Sequence, residues 1–227
     1  MSDNNRHTGE IMNIAQLRQY IGREEVDYQL LLSALSGYAY PRDKITTWLK
    51  SGALIRVKKG LYIFGKEAAL TLFSSEVLAN LIYGPSAISL NYALNFYGFI
   101  PERTTTITSI TNKRDKIFKT PIGNFTYRYL TPKKYAIGIE LFGFNEKSPF
   151  LIASPEKALC DHIHLTDKKI KLATLIDVKH YLLHDLRISE EALDQLRLKK
   201  LAEITHIYED KRLNILKTFI KEWQKNA

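Results

Sequence analysis

The chain contains a single cysteine, Cys160, so no disulfide can form within it. That usage suits a reducing compartment, and a cytoplasmic protein is expected. No apolar run approaches the roughly 18 residues of a membrane span, so no membrane partner is expected. The first residues are polar and no apolar segment follows them, which argues against a secretory signal. There is no phosphate-binding loop of the form G-x-x-x-x-G-K-[ST] and no G-x-S-x-G nucleophile elbow. Internal repeats and low-complexity tracts are lacking as well. These absences set aside transport, P-loop nucleotide hydrolysis and serine-hydrolase chemistry.

A surplus of positive charge is present. The 227 residues carry 33 Lys+Arg against 24 Asp+Glu, a net charge of +9. A basic chain is drawn to polyanions: nucleic acid, an anionic membrane or an acidic protein. The surplus is not a tail. Residues 1–65 hold 9 basic and 6 acidic side chains, 66–165 hold 11 and 8, and 166–227 hold 13 and 10. Any basic surface must therefore come from local clustering. The length suits one large or two small domains, and 45% hydrophobic residues suffice to fill their cores.

Ile14, Leu17 and Ile21 recur at helical spacing and predict a helix near 12–20. Asp27 can cap a second helix that buries Leu30, Leu31, Ala34 and Leu35 and ends at Gly37. Pro41 suits the first turn of a third helix, 41–51, with Ile45, Trp48 and Leu49 inward and Gly52 closing it. "GALIRVKKGLYIFG" (52–65) then reads as strand 53–57, turn 58–60 and strand 61–64, with Gly60 where a bulged hairpin needs positive φ. A hairpin so short needs support. Its apolar residues Ile55, Val57, Leu61 and Ile63 are expected to supply that support by packing on the three helices. Helix, helix, turn, helix, hairpin is the order of a winged helix-turn-helix, expected over 1–66.

Residues 67–227 read as a second domain. Helices are expected at 74–83 and after Ser89. Strands are expected at 104–111, 116–119, 125–130, 137–142 and 149–153. Ser154-Pro155-Glu156 opens a helix at 155–165, and helical pattern runs from about 168 onward. The expected class is α+β: an N-terminal winged helix-turn-helix, then a mostly antiparallel sheet with a helical C-terminal tail.

The third helix turns Asp43, Lys44, Thr46, Thr47, Lys50 and Ser51 outward, with Arg42 in its first turn. Lysine can donate to guanine, and threonine to phosphate or toward a thymine methyl. Lys58 and Lys59 at the hairpin tip, with Arg56 on its strand, would reach the backbone or minor groove. Residues 41–66 carry seven cations (Arg42, Lys44, Lys50, Arg56, Lys58, Lys59 and Lys66) against Asp43 alone. The candidate DNA-binding set is Arg42, Lys44, Thr46, Thr47, Lys50, Arg56, Lys58 and Lys59, acting on double-stranded DNA.

Four segments in order carry a resemblance: "LIRVKKGLYIFG", "AISLNYALNFYGFIPE" (87–102), "KIFKTPIGNFTYRYL" (116–130) and "SPEKALCDHIHL" (154–165). Their succession resembles the AbiEi family of antitoxins from type IV, abortive-infection toxin–antitoxin systems. The resemblance covers roughly 14–165. It implies a phage-defence transcriptional regulator that represses its own promoter by binding inverted repeats through the winged helix. It implies that the C-terminal domain carries antitoxin activity. The functional partner would be a cognate nucleotidyltransferase toxin, with no stable complex required. No cofactor, metal or catalytic residue is implied, and the chain is expected not to be an enzyme.

A second basic cluster comprises Lys113, Arg114, Lys116, Lys119, Arg128, Lys133 and Lys134, interleaved with Ile117-Phe118 and with Tyr127 and Tyr129. It could track a phosphate backbone or contribute to antitoxicity; equally it fits a solvated sheet face. Other chemistry is weakly signalled. His162 and His164 on one helix point about 200° apart and cannot share an ion. His180 and His184 share a face, but Tyr181 stands where a zinc protease needs glutamate. Glu209-Asp210-Lys211 and Asp177-Val178-Lys179 have the carboxylate-x-lysine spacing of some nucleases in helical surroundings that do not suit one. The remaining alternative is a winged helix that binds protein rather than DNA. The stripe Leu213, Leu216, Ile220 and Trp223 on the last helix, about 210–225, is expected to pack on its own domain.

Overall fold

The computed structural model describes residues 12–143, 148–165 and 170–226. The chain divides into two compact units, Met1–Leu78 with Thr120–Ile122, and Ala79–Lys119 with Gly123–Ala227. Residues 67–78 thus group with the first unit, whereas the sequence boundary assigned them to the second.

The first unit runs α1 (Ile14–Ile21), β1 (Glu25–Asp27), α2 (Tyr28–Ala34), α3 (Pro41–Lys50), β2 (Leu54–Lys58) and β3 (Leu61–Phe64). Each helix start has a local cause. Asn13 and Gln16 form a reciprocal capping box on α1. Asp27 accepts from the Leu30 amide at 2.8 Å, and Pro41 occupies the first turn of α3. The strands form an antiparallel sheet of order β1-β3-β2. Leu17, Leu31, Leu35, Ile45 and Trp48 of the helices meet Val26, Leu54, Tyr62 and Phe64 of the sheet in one buried cluster.

That cluster corrects the expected hairpin face. Register pairs Leu54 with Phe64 and Ile55 with Ile63. Leu54, Tyr62 and Phe64 therefore face the helices, and Ile55 and Ile63 face the other way. All four residues of β3 are buried, so its sequence has no alternation to tell one face from the other. The register shifts between Arg56 and Lys58, and Gly60 sits at φ 86 in the tip. At the hairpin's open end a Cβ on Gly65 would lie 2.0 Å from the Gly52 carbonyl oxygen, so only glycine fits.

Two acids hold the following segment. Glu24 pairs with Arg18 at 2.6 Å, both nearly inaccessible, and accepts from the amides of Leu70 and Thr71. Glu25 accepts from the Ser74 amide. Burial raises the Glu24 pKa, but Arg18 and the Thr71 hydrogen bonds outweigh it and leave the carboxyl below its ordinary value.

α4 (Ser75–Ile82) leads into the second unit: β4 (Ser86–Ile88), α5 (Leu90–Phe96), β5 (Thr106–Thr111), β6 (Lys116–Thr120), β7 (Gly123–Tyr129), α6 (Pro132–Ala136), β8 (Ile139–Phe142), β9 (Phe150–Ala153) and α7 (Pro155–Leu165). The sheet order is β6-β7-β5-β4-β9-β8. The sheet is mixed rather than mostly antiparallel. β4 runs parallel to β9 and β5 parallel to β7, while the β4–β5 and β8–β9 pairs are antiparallel. The three-residue β1 and β4 and the short α6 were not expected; strands that brief carry too little periodicity to register.

The helical tail comprises α8 (Leu175–His180), a π-helical turn at Tyr181–Asp185, α9 (Glu190–Asp194), α10 (Leu198–Tyr208) and α11 (Lys211–Asn226). Leu213, Leu216 and Ile220 are buried, and α11 packs on α7, α8, α9 and α10 of its own unit. Trp223 is tied there by donating to Asp194 Oδ1 at 3.0 Å. The class is α+β, and no described helix is long and apolar enough to cross a membrane.

A buried polar network fixes α7 and α10 to the sheet side. Lys157 is inaccessible, and its ammonium donates to Asp161 Oδ1 at 3.0 Å, the Lys134 carbonyl at 2.8 Å and the Tyr208 hydroxyl at 2.7 Å. Its three hydrogens thus each have an acceptor. Tyr208 also donates to Asp161, and Ser89 donates to Asp161 Oδ2 at 2.6 Å. Burial, then the Asp161 charge, pushes the Tyr208 pKa far above its ordinary value.

Candidate nucleic-acid interface

α3 presents the face that its spacing predicts. Ile45 and Trp48 are buried, while Arg42, Asp43, Thr46, Thr47 and Lys50 are exposed. Lys44 departs from the simple picture. It is half-buried, with its ammonium 5.2 Å from the centre of the Trp48 ring. An ammonium over indole is stabilised by the ring quadrupole but keeps its charge. Thr46 and Thr47 donate to the carbonyls of Arg42 and Asp43, both at 2.9 Å. Their hydroxyl hydrogens are occupied, leaving the lone pairs and methyls on the surface. They can accept from a base or touch a thymine methyl more readily than donate to phosphate. Asp43 lies in the first turn, where a carboxylate complements the helix dipole.

The hairpin tip is a two-residue loop, Lys59-Gly60, because β2 extends through Lys58. The Gly60 carbonyl accepts from the Tyr28 amide at 3.0 Å, which ties the tip to the start of α2. Arg56 is exposed, 5.9 Å from the Tyr62 ring centre. Among the described residues, Arg42, Lys50 and Lys59 have no ion-pair partner. Tyr40, 74% exposed at the position before Pro41, belongs to this surface and was not singled out from the sequence. Its signal was a large aromatic at a helix start.

The second basic cluster does not form one equivalent set. Lys113 donates to the Gly84 carbonyl and lies over the Tyr83 ring. Arg128 pairs with Asp115 at 3.2 Å. Lys134 is 3.3 Å from His164 Nε2 and lies over Tyr208. Arg114, Lys116, Lys119 and Lys133 are exposed, on the β5–β6 connection, β6 and α6.

The histidines and acids raised from the sequence have other partners. His162 Nε2 is 2.9 Å from the Tyr181 hydroxyl and His164 Nδ1 is 2.9 Å from Asp210, so the two rings diverge. Burial lowers the His162 pKa to about 4, so the ring is neutral at physiological pH. His180 and His184 lie side by side with ring centres 4.9 Å apart, and His180 faces Asp185 at 3.9 Å. Asp177 is the capping acid of α8, and Asp210 accepts from Arg212. Burial raises Asp210, but hydrogen bonds from Arg212 and His164 leave it below its ordinary value. Glu209 ends α10 in the left-handed region. Among the described residues no group of three His, Cys, Asp or Glu side chains could hold a metal ion. Burial raises the Cys160 thiol well above its ordinary pKa, so thiolate chemistry is disfavoured there.

No protein-family model matches the chain, and no curated protein matches it.

Proposed function

We propose that this chain is a sequence-specific DNA-binding transcriptional autorepressor that serves as the antitoxin of a type IV, abortive-infection toxin–antitoxin system. The first unit is read as a winged helix, with α3 as its recognition helix and the β2–β3 hairpin as its wing. The order helix, strand, helix, helix, strand, strand supports that reading. The observation that carries it is the set of exposed cations Arg42, Lys50 and Lys59, which the fold leaves without ion-pair partners among the described residues. Unspent guanidinium and ammonium groups are what displace counterions from DNA phosphates. Lys44, Thr46 and Thr47 lie on the same helix for base and groove contacts. Arg56 and Lys58 hold the backbone beside Lys59. The four-segment resemblance to AbiEi antitoxins supports the antitoxin half. On that reading the second unit opposes a nucleotidyltransferase toxin without needing a stable complex, and the protein acts by binding rather than catalysis.

The test is a mobility-shift titration with DNA upstream of the chain's own gene against a shuffled duplex of equal length. A preferential shift is expected, lost in the variant R42A/K50A/K59A. Equal or no binding to both duplexes would favour a winged helix that engages protein. Nicking of plasmid with Mg²⁺ would favour a nuclease. Co-expression with the nucleotidyltransferase toxin that this reading places beside its gene tests the antitoxin role directly: growth should recover, and the absence of such a neighbouring gene would count against the role.

A further inference from the structure

The second unit has a cleft that the DNA-binding reading leaves unused. It is about 610 Å³, with β5 residues Thr106 and Thr108 along it, Leu90 and Asn91 of α5 on one side, and His162 and Leu165 of α7 on another. Arg103 and Arg128 bring two guanidinium groups to it, and no carboxylate lines it. The Arg128 pair with Asp115 is exposed on both sides, and solvent-screened pairs of that kind are weak and exchangeable. Arg103 is exposed with no ion-pair partner among the described residues. Thr104 lines the same cleft, and its hydroxyl oxygen is buried with no hydrogen-bond partner. A buried orphan hydroxyl costs stability unless something completes it. Leu90 is held at φ 58, and strained backbone of this kind collects at ligand sites.

The floor is rigid. Thr108 donates to the Ser89 carbonyl at 2.8 Å, and Ser89 is itself bonded to buried Asp161. The neutral His162 ring adds no charge, so the positive potential comes from the arginines. Guanidinium forks match phosphate oxygens in pairs, and hydroxyls complete such sites. Leu90 and Leu165 give an apolar wall against which a base or sugar could lie, and the volume falls within the range of small-ligand pockets.

We propose that this cleft binds the phosphate groups of a nucleotide-sized ligand, with Arg103, Arg128 and the Thr104 hydroxyl as its principal phosphate contacts. The lining residues all belong to the second unit, and the proposal does not depend on DNA binding.

Calorimetric titration of the full chain tests it, with ATP, adenosine and inorganic phosphate as the probes. ATP should bind, and adenosine should bind at least about tenfold more weakly, the loss of roughly one strong charged contact. Arg103→Ala, at an exposed position, should weaken ATP at least about tenfold. Thr104→Val should weaken ATP severalfold and raise the melting temperature of the unliganded protein, because it removes the orphan hydroxyl. A hydroxyl with only a structural role would not give both shifts. No ATP binding at millimolar concentration, equal affinity for adenosine, or ATP binding unchanged in both variants would overturn the proposal. So would loss of ATP binding in Lys59→Ala, which would place the phosphates on the first unit.

Discussion

Each third of this chain carries the same surplus of basic over acidic residues, yet the surface of α3 and the hairpin and the interior of the second unit use their cations differently. On α3 and the hairpin tip, Arg42, Lys50 and Lys59 have no ion-pair partner among the described residues. In the second unit Lys157 is fully buried against Asp161, Arg197 bridges Glu156 and Glu140, and Arg212 holds Asp210. Burial raises the Glu156 carboxyl, but hydrogen bonds from Arg197 leave it below its ordinary pKa. Net charge is therefore a poor guide to a polyanion surface. Only cations that the fold has not already used are available to a partner; Arg42, Lys50 and Lys59 are such cations on α3 and the hairpin, as Arg103 is in the second unit.

The contrast makes unequal predictions for equal changes of charge. Lys157→Ala leaves Asp161 uncompensated in the interior and should cost about 3–5 kcal/mol, enough to threaten folding of the second unit. Lys59→Ala makes the same formal change at an exposed site and should stay within about 0.5 kcal/mol. Urea melts of the two variants compare them directly, and similar midpoints would erase the distinction.

A smaller effect comes from His162. The unfolded chain takes up a proton near the ordinary histidine pKa of 6.5, whereas the folded ring refuses it until about pH 4. Stability should therefore fall as pH drops, by about 2 kcal/mol between about pH 7 and 5. His162→Gln should flatten that part of the curve; an unchanged slope would mean another group is responsible. Smaller again, Asp115→Ala breaks the exposed pair with Arg128 and the hydrogen bond that Asp115 accepts from the Tyr129 amide, and should cost about 1 kcal/mol in the same melts.

How much of this was legible depended on whether a pattern was local. The inward and outward faces of α3 follow from Ile45, Trp48 and Leu49 at helical spacing, and the structure keeps them. The starts at Asp27 and Pro41 were equally readable, because capping is decided within four residues. The hairpin's inner face was misread because β3 is buried on both sides and its sequence is apolar throughout. The parallel pairings of β4 with β9 and β5 with β7 join segments far apart in the chain, and no short-range signal encodes them. Glu24, Glu25, Lys157 and Asp161 are buried, although charged residues are normally exposed. Their partners lie 4 to 72 positions away, so only the fold reveals why burial is tolerated. The same holds for the second basic cluster, where Lys113, Arg128 and Lys134 proved to be occupied locally.

The salt dependence of binding to the upstream duplex tests the central claim most directly. Affinity of the full chain should fall linearly with salt on logarithmic axes, and the double variant K58A/K59A should lower the slope by up to about 1.8, two phosphate contacts' worth. A variant slope equal to that of the unaltered chain would mean that the hairpin tip never meets the phosphate backbone.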